Sequence, residues 1–231
     1  MEPDPIDSLS LEKIIMPLIY TNAKQENWRY GSTDRLTHVL QKTRDYIREG
    51  KHNASAHYET WFGNQCTLTI EDVAYLISLM QETIKRRNIY IGHDTSNPYE
   101  NARAYTSSTH LMKGTDVLTA WTPCAIINHS SQNDTHITIS ANFVNLPSLL
   151  DRTAGLGGSG SCRQSKLGTI VHEFTHLLLG TADVQLGNET MYGAYNSHKL
   201  AKGPSRVQAM RNAENWGLFV ECVYRDKTLH S

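Results

Sequence analysis

The string His172-Glu173-Phe174-Thr175-His176 constrains this chain more than any other stretch, because it puts metal-binding side chains inside a run that has to be buried. Thr169-Ile170-Val171 precedes it and Leu177-Leu178-Leu179 follows, so the segment reads as a core helix over roughly residues 165–179. Residues four apart on a helix face the same way one turn on, and both imidazoles therefore project from one face. Two histidines and a glutamate are costly to bury without a partner, and a metal is the partner this set can take. Two neutral nitrogens at that spacing can bind zinc at about 2.0–2.1 Å. Glu173, beside the first histidine, can reach a water on the metal without being a ligand, which makes it the candidate general base. With 11 His in the chain, composition alone yields such a match with a probability on the order of a few in a hundred. The apolar flanks argue against accident.

The remaining composition bounds the function class. A chain of 231 residues that is 39% hydrophobic and 19% charged can bury a substantial core. Residues 1–30 read as a loosely ordered lead-in and 31–231 as a single domain. A formal net charge of −1 gives no electrostatic case for nucleic acid or a membrane surface. No apolar stretch reaches the ~18 residues of a membrane span. Met1 to Pro17 is acidic and broken by prolines, unlike a secretory signal. Cys66, Cys124, Cys162 and Cys222 are widely spaced with no C-x-x-C pair, and free thiols are the expectation. Four N-x-S/T sequons, beginning at Asn53, Asn128, Asn133 and Asn188, are read as chance.

Helix signals lie on both sides of a strand-rich middle. Thr33 or Asp34 can cap a helix with a stripe of Leu36, Val39, Leu40, Tyr46 and Ile47, stopped by Gly50. Thr69 and Asp72 form a capping-box pattern ahead of Val73, Leu76, Ile77, Met80 and Ile84. Ile89–Ile91, Val117-Leu118, Ala125–Ile127 and Ile137–Ile139 read as short strands. Ser205 can cap a last helix packed through Val207, Met210, Ala213, Trp216, Phe219, Val220 and Val223. Helices around a small sheet predict an α+β fold. Gly155–Gly160 contains a formal G-x-G-x-x-G, but no strand leads directly into it, so it reads as a loop before the metal helix and not as a nucleotide site.

Catalytic zinc usually takes three protein ligands. A metzincin would need Gly and His where this chain has Leu179 and Ala182. A thermolysin-like site would draw a glutamate from downstream, for which Glu189 and Glu214 are nominal candidates. Asp183 is the third candidate. Gly180 can end the motif helix in a tight reversal and return that carboxylate towards the histidines. A plain turn aspartate is the alternative reading of Asp183.

His172-Glu173-x-x-His176, Gly180-Thr181-x-Asp183 and Tyr192-Gly193 together resemble the aspzincin metallopeptidases, the deuterolysins and peptidyl-Lys metalloendopeptidases. Trp61-Phe62-Gly63, the strand Ile137–Phe143 and Asn212-Ala213-Glu214-Asn215 resemble further elements of that family, so the likeness spans roughly residues 35–224. The resemblance implies a zincin-like fold with HExxH on the active-site helix, and Zn2+ held by His172, His176 and Asp183. It also implies catalytic roles for Glu173 and for Tyr192, with Tyr195 in reserve, and a protein substrate laid along the strand near Ile137–Ser140. Lysine-specific members carry acids around the last helix. Glu214 stands at one such place and Gly217 at the other, which implies substrate binding by Glu214 and a preference for basic residues looser than strict lysine selection.

Two departures stand out. Eight residues separate Asp183 from Tyr192 where the family has two, and Ile89–Gly92 and Ile139–Ala141 occupy the places of the family's disulfide cysteines. The spacing from histidine to aspartate is closer to bacterial injected NleC-like zinc-peptidase effectors. With no signal peptide, that likeness implies export by a specialised or non-classical secretion system from the producing cell's cytoplasm, as an effector or toxin, with an inhibitor or immunity protein as a further partner. Two other readings stay open: a zinc-dependent amidase acting on cell wall, and a non-catalytic zinc-stabilised binding module closed by a fourth ligand such as His198.

Overall fold

The computed structural model describes residues 31–50, 53–64, 68–86, 89–94, 104–106, 135–144, 146 and 165–227. Helix α1 (Gly31–Arg48) begins ahead of the expected Thr33 or Asp34 cap. It buries all five residues of the expected stripe. Gly50 ends it at φ +62°, with its N–H donating to the Ile47 carbonyl. Helix α2 (Ala54–Phe62) follows, and then α3 (Ile70–Arg86). The capping box ahead of α3 forms as its sequence implies. Asp72 N donates to Thr69 Oγ1 at 3.2 Å, and Thr69 N donates to Asp72 Oδ2 at 2.8 Å. Val73, Leu76, Ile77, Met80 and Ile84 are all buried, and α3 lies along α1.

The sheet is mixed, in the order β1-β3-β2. Strand β1 (Ile89–Asp94) runs parallel to β3 (Thr135–Ser140), and β2 (Ala104–Thr106) runs antiparallel to it. β3 is therefore the middle strand. Among the described residues both of its sides are paired over Ile137–Ile139, where the sequence expectation laid an extended substrate. Among the described residues β2 is an edge, and it packs on the metal helix. The expected strands at Val117-Leu118 and Ala125–Ile127, the lead-in 1–30, the Gly155–Gly160 loop, and Cys66, Cys124 and Cys162 lie outside the described residues.

A short helix α4 (Ala141–Val144) leaves β3. The metal helix is α5 (Lys166–Leu179), followed by the hairpin β4 (Gln185–Leu186) and β5 (Glu189–Thr190), and by α6 (Gly193–Lys202). The expected last helix is two elements, a 3-10 turn at Arg206–Arg211 and helix α7 (Ala213–Lys227). Asn212 interrupts it with an extended backbone (φ −81°, ψ 116°) because its neighbours pair with Ala182. Ala182 N donates to Arg211 O, and Ala213 N donates to Ala182 O. Ser205 makes no side-chain cap, and Val207 is 58% exposed, so both depart from the expected packing. Met210, Ala213, Trp216, Phe219, Val220 and Val223 are buried as the pattern implies.

Helix α7 is the hub, packing on α5, α2, α1 and α6. Phe62 at the end of α2 sits 5.2 Å from both the Trp216 and Phe219 rings. Gly63 turns the chain there at φ +80°, and a Cβ at that position would meet the Ala201 carbonyl oxygen at 2.5 Å. These contacts anchor the base on which α5 rests.

Candidate metal centre

Two features hold α5 in place. At its start, Ser165 Oγ accepts from Gly168 N at 2.9 Å and donates to the buried Glu221 carboxylate at 2.6 Å. One turn in, Gly168 meets Gly217 of α7 so closely that a Cβ on Gly217 would lie 2.6 Å from the Gly168 oxygen. The two helices cross at a distance that leaves no room for a side chain at position 217. At its end, Gly180 adopts the left-handed conformation (φ 64°, ψ 32°) and donates to Thr175 O, the reversal that the sequence implies.

The histidines of this helix are buried and tied off from behind. His172 Nδ1 lies 3.1 Å from Glu214 Oε2, and His176 Nδ1 lies 2.8 Å from the Thr181 carbonyl. A carboxylate and a carbonyl only accept, so both Nδ1 atoms must donate, and both Nε2 atoms are left to face Asp183. Those nitrogens stand 3.0 Å apart, and Asp183 Oδ1 lies 3.2 Å from one and 3.3 Å from the other. Three acceptors facing each other repel unless a proton or cation sits among them. Their spacing is close to the ~3.3–3.4 Å between donors of a tetrahedral zinc bound at about 2.0–2.1 Å. Among the described residues His172, His176 and Asp183 form the donor cluster that could hold a metal ion. His198 is not one of its donors.

Charge states follow from this arrangement. Burial opposes a charge on His172, but the Asp183 and Glu214 carboxylates outweigh it and raise its pKa well above the usual histidine value. Burial would raise Asp183, yet its hydrogen bonds to the two histidines hold it far below the usual carboxylate range. Glu173 is 4% exposed, with its carboxylate 4.0 Å from His172 Nε2. Burial pushes its pKa up, against the pull of the two histidines.

Asp183 reaches the cluster because the chain after Gly180 is stitched to α7. Besides the Ala182 pairing, Val184 N donates to Asn212 Oδ1 at 3.1 Å, and Asn212 Nδ2 donates to Met191 O at 2.9 Å. Met191 N donates to Val184 O at 2.8 Å, closing the base of the β4–β5 hairpin. Gly187 at φ +62° makes its tight turn. The eight residues between Asp183 and Tyr192 therefore leave only Val184 and Met191 at the hairpin base, as if two residues intervened. The Tyr192 ring stands 6.0 Å from the His172 ring, beside Asp183. Partial burial and the Asp183 carboxylate push the phenol pKa well above its usual value.

Glu189 is exposed on the hairpin and pairs with Lys199 at 3.0 Å, away from the cluster. Tyr195 is half exposed on α6. Glu214, the acid expected to bind substrate, lies against His172 Nδ1. It is 4% exposed, and while Oε2 holds His172, Oε1 accepts from Gly193 N at 3.0 Å. The backing residues Thr181, Asn212 and Asn215 carried no role in the sequence reading. Their only signal there was position within Gly180-Thr181 and Asn212–Asn215. Asn215 Nδ2 donates to Ser197 O and Trp61 O, which ties the last helix to α6 and α2.

The family model Aspzincin_M35, described as lysine-specific metallo-endopeptidase, matches residues 46–221, a span that contains all these groups. That family is zinc-dependent, and the His172–His176–Asp183 cluster could hold the ion. No curated protein matches the chain.

Proposed function

The chain belongs to the aspzincin family of zinc metalloendopeptidases, and on that footing we propose that His172, His176 and Asp183 hold the zinc, that Glu173 is the general base and that Tyr192 steadies the oxyanion. The observation that carries this reading is the triangle of three acceptor atoms with edges of 3.0, 3.2 and 3.3 Å, both Nδ1 atoms being already engaged. Zinc bound there would supply Lewis acidity, polarising the scissile carbonyl and lowering the pKa of a water. Glu173 takes the proton of the attacking water and returns it to the leaving amine. Its buried carboxylate faces the cluster, and its raised pKa suits a group that must both accept and release a proton. Tyr192 keeps its proton at neutral pH and donates a hydrogen bond to the developing oxyanion. The peptide lies extended along β2, the edge strand packed on α5.

Glu173→Ala tests the assignment of the base. The variant should hold zinc as the parent does and lose activity on a denatured protein substrate by about 10²–10⁴-fold. Loss of zinc together with Glu173 would move that residue into the ligand set and sink the assignment. A peptidoglycan digest run beside it would reveal an amidase. The spacing from His176 to Gly180 and Asp183 supports delivery as an effector or toxin. Expressed in a target cell, the active chain should create new protein N-termini that Glu173→Ala does not.

A further inference from the structure

We propose that Glu214 is a positioning residue for the metal centre, and that it does not select basic substrates. Resting on the peptidase reading above, the proposal assigns a different role to the acid on the last helix. Glu214 lies inside the protein, and its two carboxylate oxygens have different donors. Oε2 takes the Nδ1 proton of His172, 42 residues away in the chain, and Oε1 takes the backbone N–H of Gly193. The first contact fixes the His172 tautomer and turns its Nε2 towards Asp183 and His176. The second fixes the first residue of α6, whose neighbour Tyr192 stands beside the His172 ring. One side chain thus sets the ligand and the tyrosine in a common frame.

Only a carboxylate meets this demand. Two donors approach it from two directions, and a glutamine offers a single acceptor, so one donor would be left buried and unpaired. Aspartate keeps both acceptors but is shorter by a methylene, which draws its carboxylate back from both donors.

The neighbouring position closes the other route to lysine selection. An acid at Gly217 would need a Cβ 2.6 Å from the Gly168 backbone oxygen, where α5 and α7 cross. The small cavity beside it, lined by Ser165, Gly168, Glu214, Gly217, Leu218 and Glu221, has a volume of about 10 Å³. That is room for about one water and too little for a lysine side chain. The last helix of this chain therefore faces the back of the metal centre, and substrate selection falls to other residues.

Glu214→Gln and Glu214→Asp, compared with the parent chain, test the proposal. Zinc affinity is read by chelator competition, and kcat and KM are read on a matched pair of peptides with lysine or leucine after the cut. A positioning residue predicts zinc affinity lowered by about 10–100-fold in both variants. It also predicts kcat at saturating zinc lowered by the same factor on the two peptides. Unchanged zinc affinity, with a loss confined to the KM of the lysine peptide, would overturn it. Should both variants fail to fold, the zinc-loaded parent chain decides by NMR. A His172 Nδ1–H resonance protected from exchange is expected, and its absence would refute the contact. The zinc and NMR arms stand even if the parent chain cleaves neither peptide, an outcome that would count against the peptidase reading alone.

Discussion

In the proposed centre Asp183 would supply what the two histidines lack, a negative charge against a dication and a third donor beside the imidazole pair. It does so from the rim, with 39% of its side chain exposed, because the Ala182–Asn212 pairing carries the backbone to that point. Asp183→Ala should therefore lower zinc affinity by at least about 10-fold and abolish cleavage. Glu189→Ala, which removes only an exposed partner of Lys199, should leave metal content intact. Parallel zinc titrations would show the reverse if the third ligand were Glu189. The protons of the site give a second test. Against the effect of burial, the Asp183 and Glu214 carboxylates raise the His172 pKa, so zinc competes with a proton at this histidine. Proton release should appear when zinc is added to the metal-free protein in weak buffer at pH 7, and affinity should fall as the pH is lowered. Binding without release would mean that His172 is already neutral. At this scale the grouping of His172, His176 and Glu173 on one helix was legible, because one turn of helix fixes their relations. The role of Glu214 was not, since its contact with His172 spans 42 residues and no local period reports it.

Among the elements, the β4–β5 hairpin explains how eight residues can sit between Asp183 and Tyr192 without separating them. Its base is closed by Val184 and Met191, and its turn at Gly187 and Asn188 is exposed. Replacing Gln185–Thr190 by a Gly-Asn turn should keep zinc affinity within about threefold of the parent, because the Val184–Met191 and Val184–Asn212 bonds that hold the chain beside Asp183 remain. A large loss of zinc would show that the hairpin itself supports Asp183. The α5–α7 crossing makes the opposite prediction. Gly217→Ala puts a methyl against the Gly168 backbone, which cannot rotate away, and should cost about 1–3 kcal/mol in a denaturant melt. Wild-type stability would show that the helices can separate freely. Caps and stripes were legible here because they are local. Thr69 and Asp72 are three residues apart, and the α3 stripe repeats every turn. Strand order was not, because nothing within Thr135–Ser140 states that β1 and β2 will take both its sides. The break at Asn212 was hidden for the same reason, since its cause lies in Ala182.

At the scale of the whole molecule, the question is whether zinc builds the fold or only fills a site that the fold has made. The main core runs through α1, α2, α3, α5 and α7, and includes Leu40, Phe62, Ile77, Phe174, Trp216 and Phe219, none of which depends on a metal. A second cluster of Val184, Met191, Leu200, Ala201 and Ala209 packs under the hairpin and α6. The donors themselves are braced by hydrogen bonds to Glu214, Thr181 and the Ala182 pairing. A structural zinc in a small domain does the reverse, supplying the folding energy that the core lacks. The metal-free chain should therefore keep its helical circular dichroism after dialysis against a chelator. Added zinc should then raise its stability only by mass action, by about 4 kcal/mol at a thousandfold excess over the dissociation constant. Thermal melts of the metal-free and zinc-loaded protein at several zinc concentrations measure both quantities. A midpoint that climbs with the logarithm of free zinc from a folded baseline fits a site prepared in advance for chemistry. Collapse of the helical signal on chelation would mean that zinc is part of the core, and would favour a zinc-stabilised binding module over a peptidase.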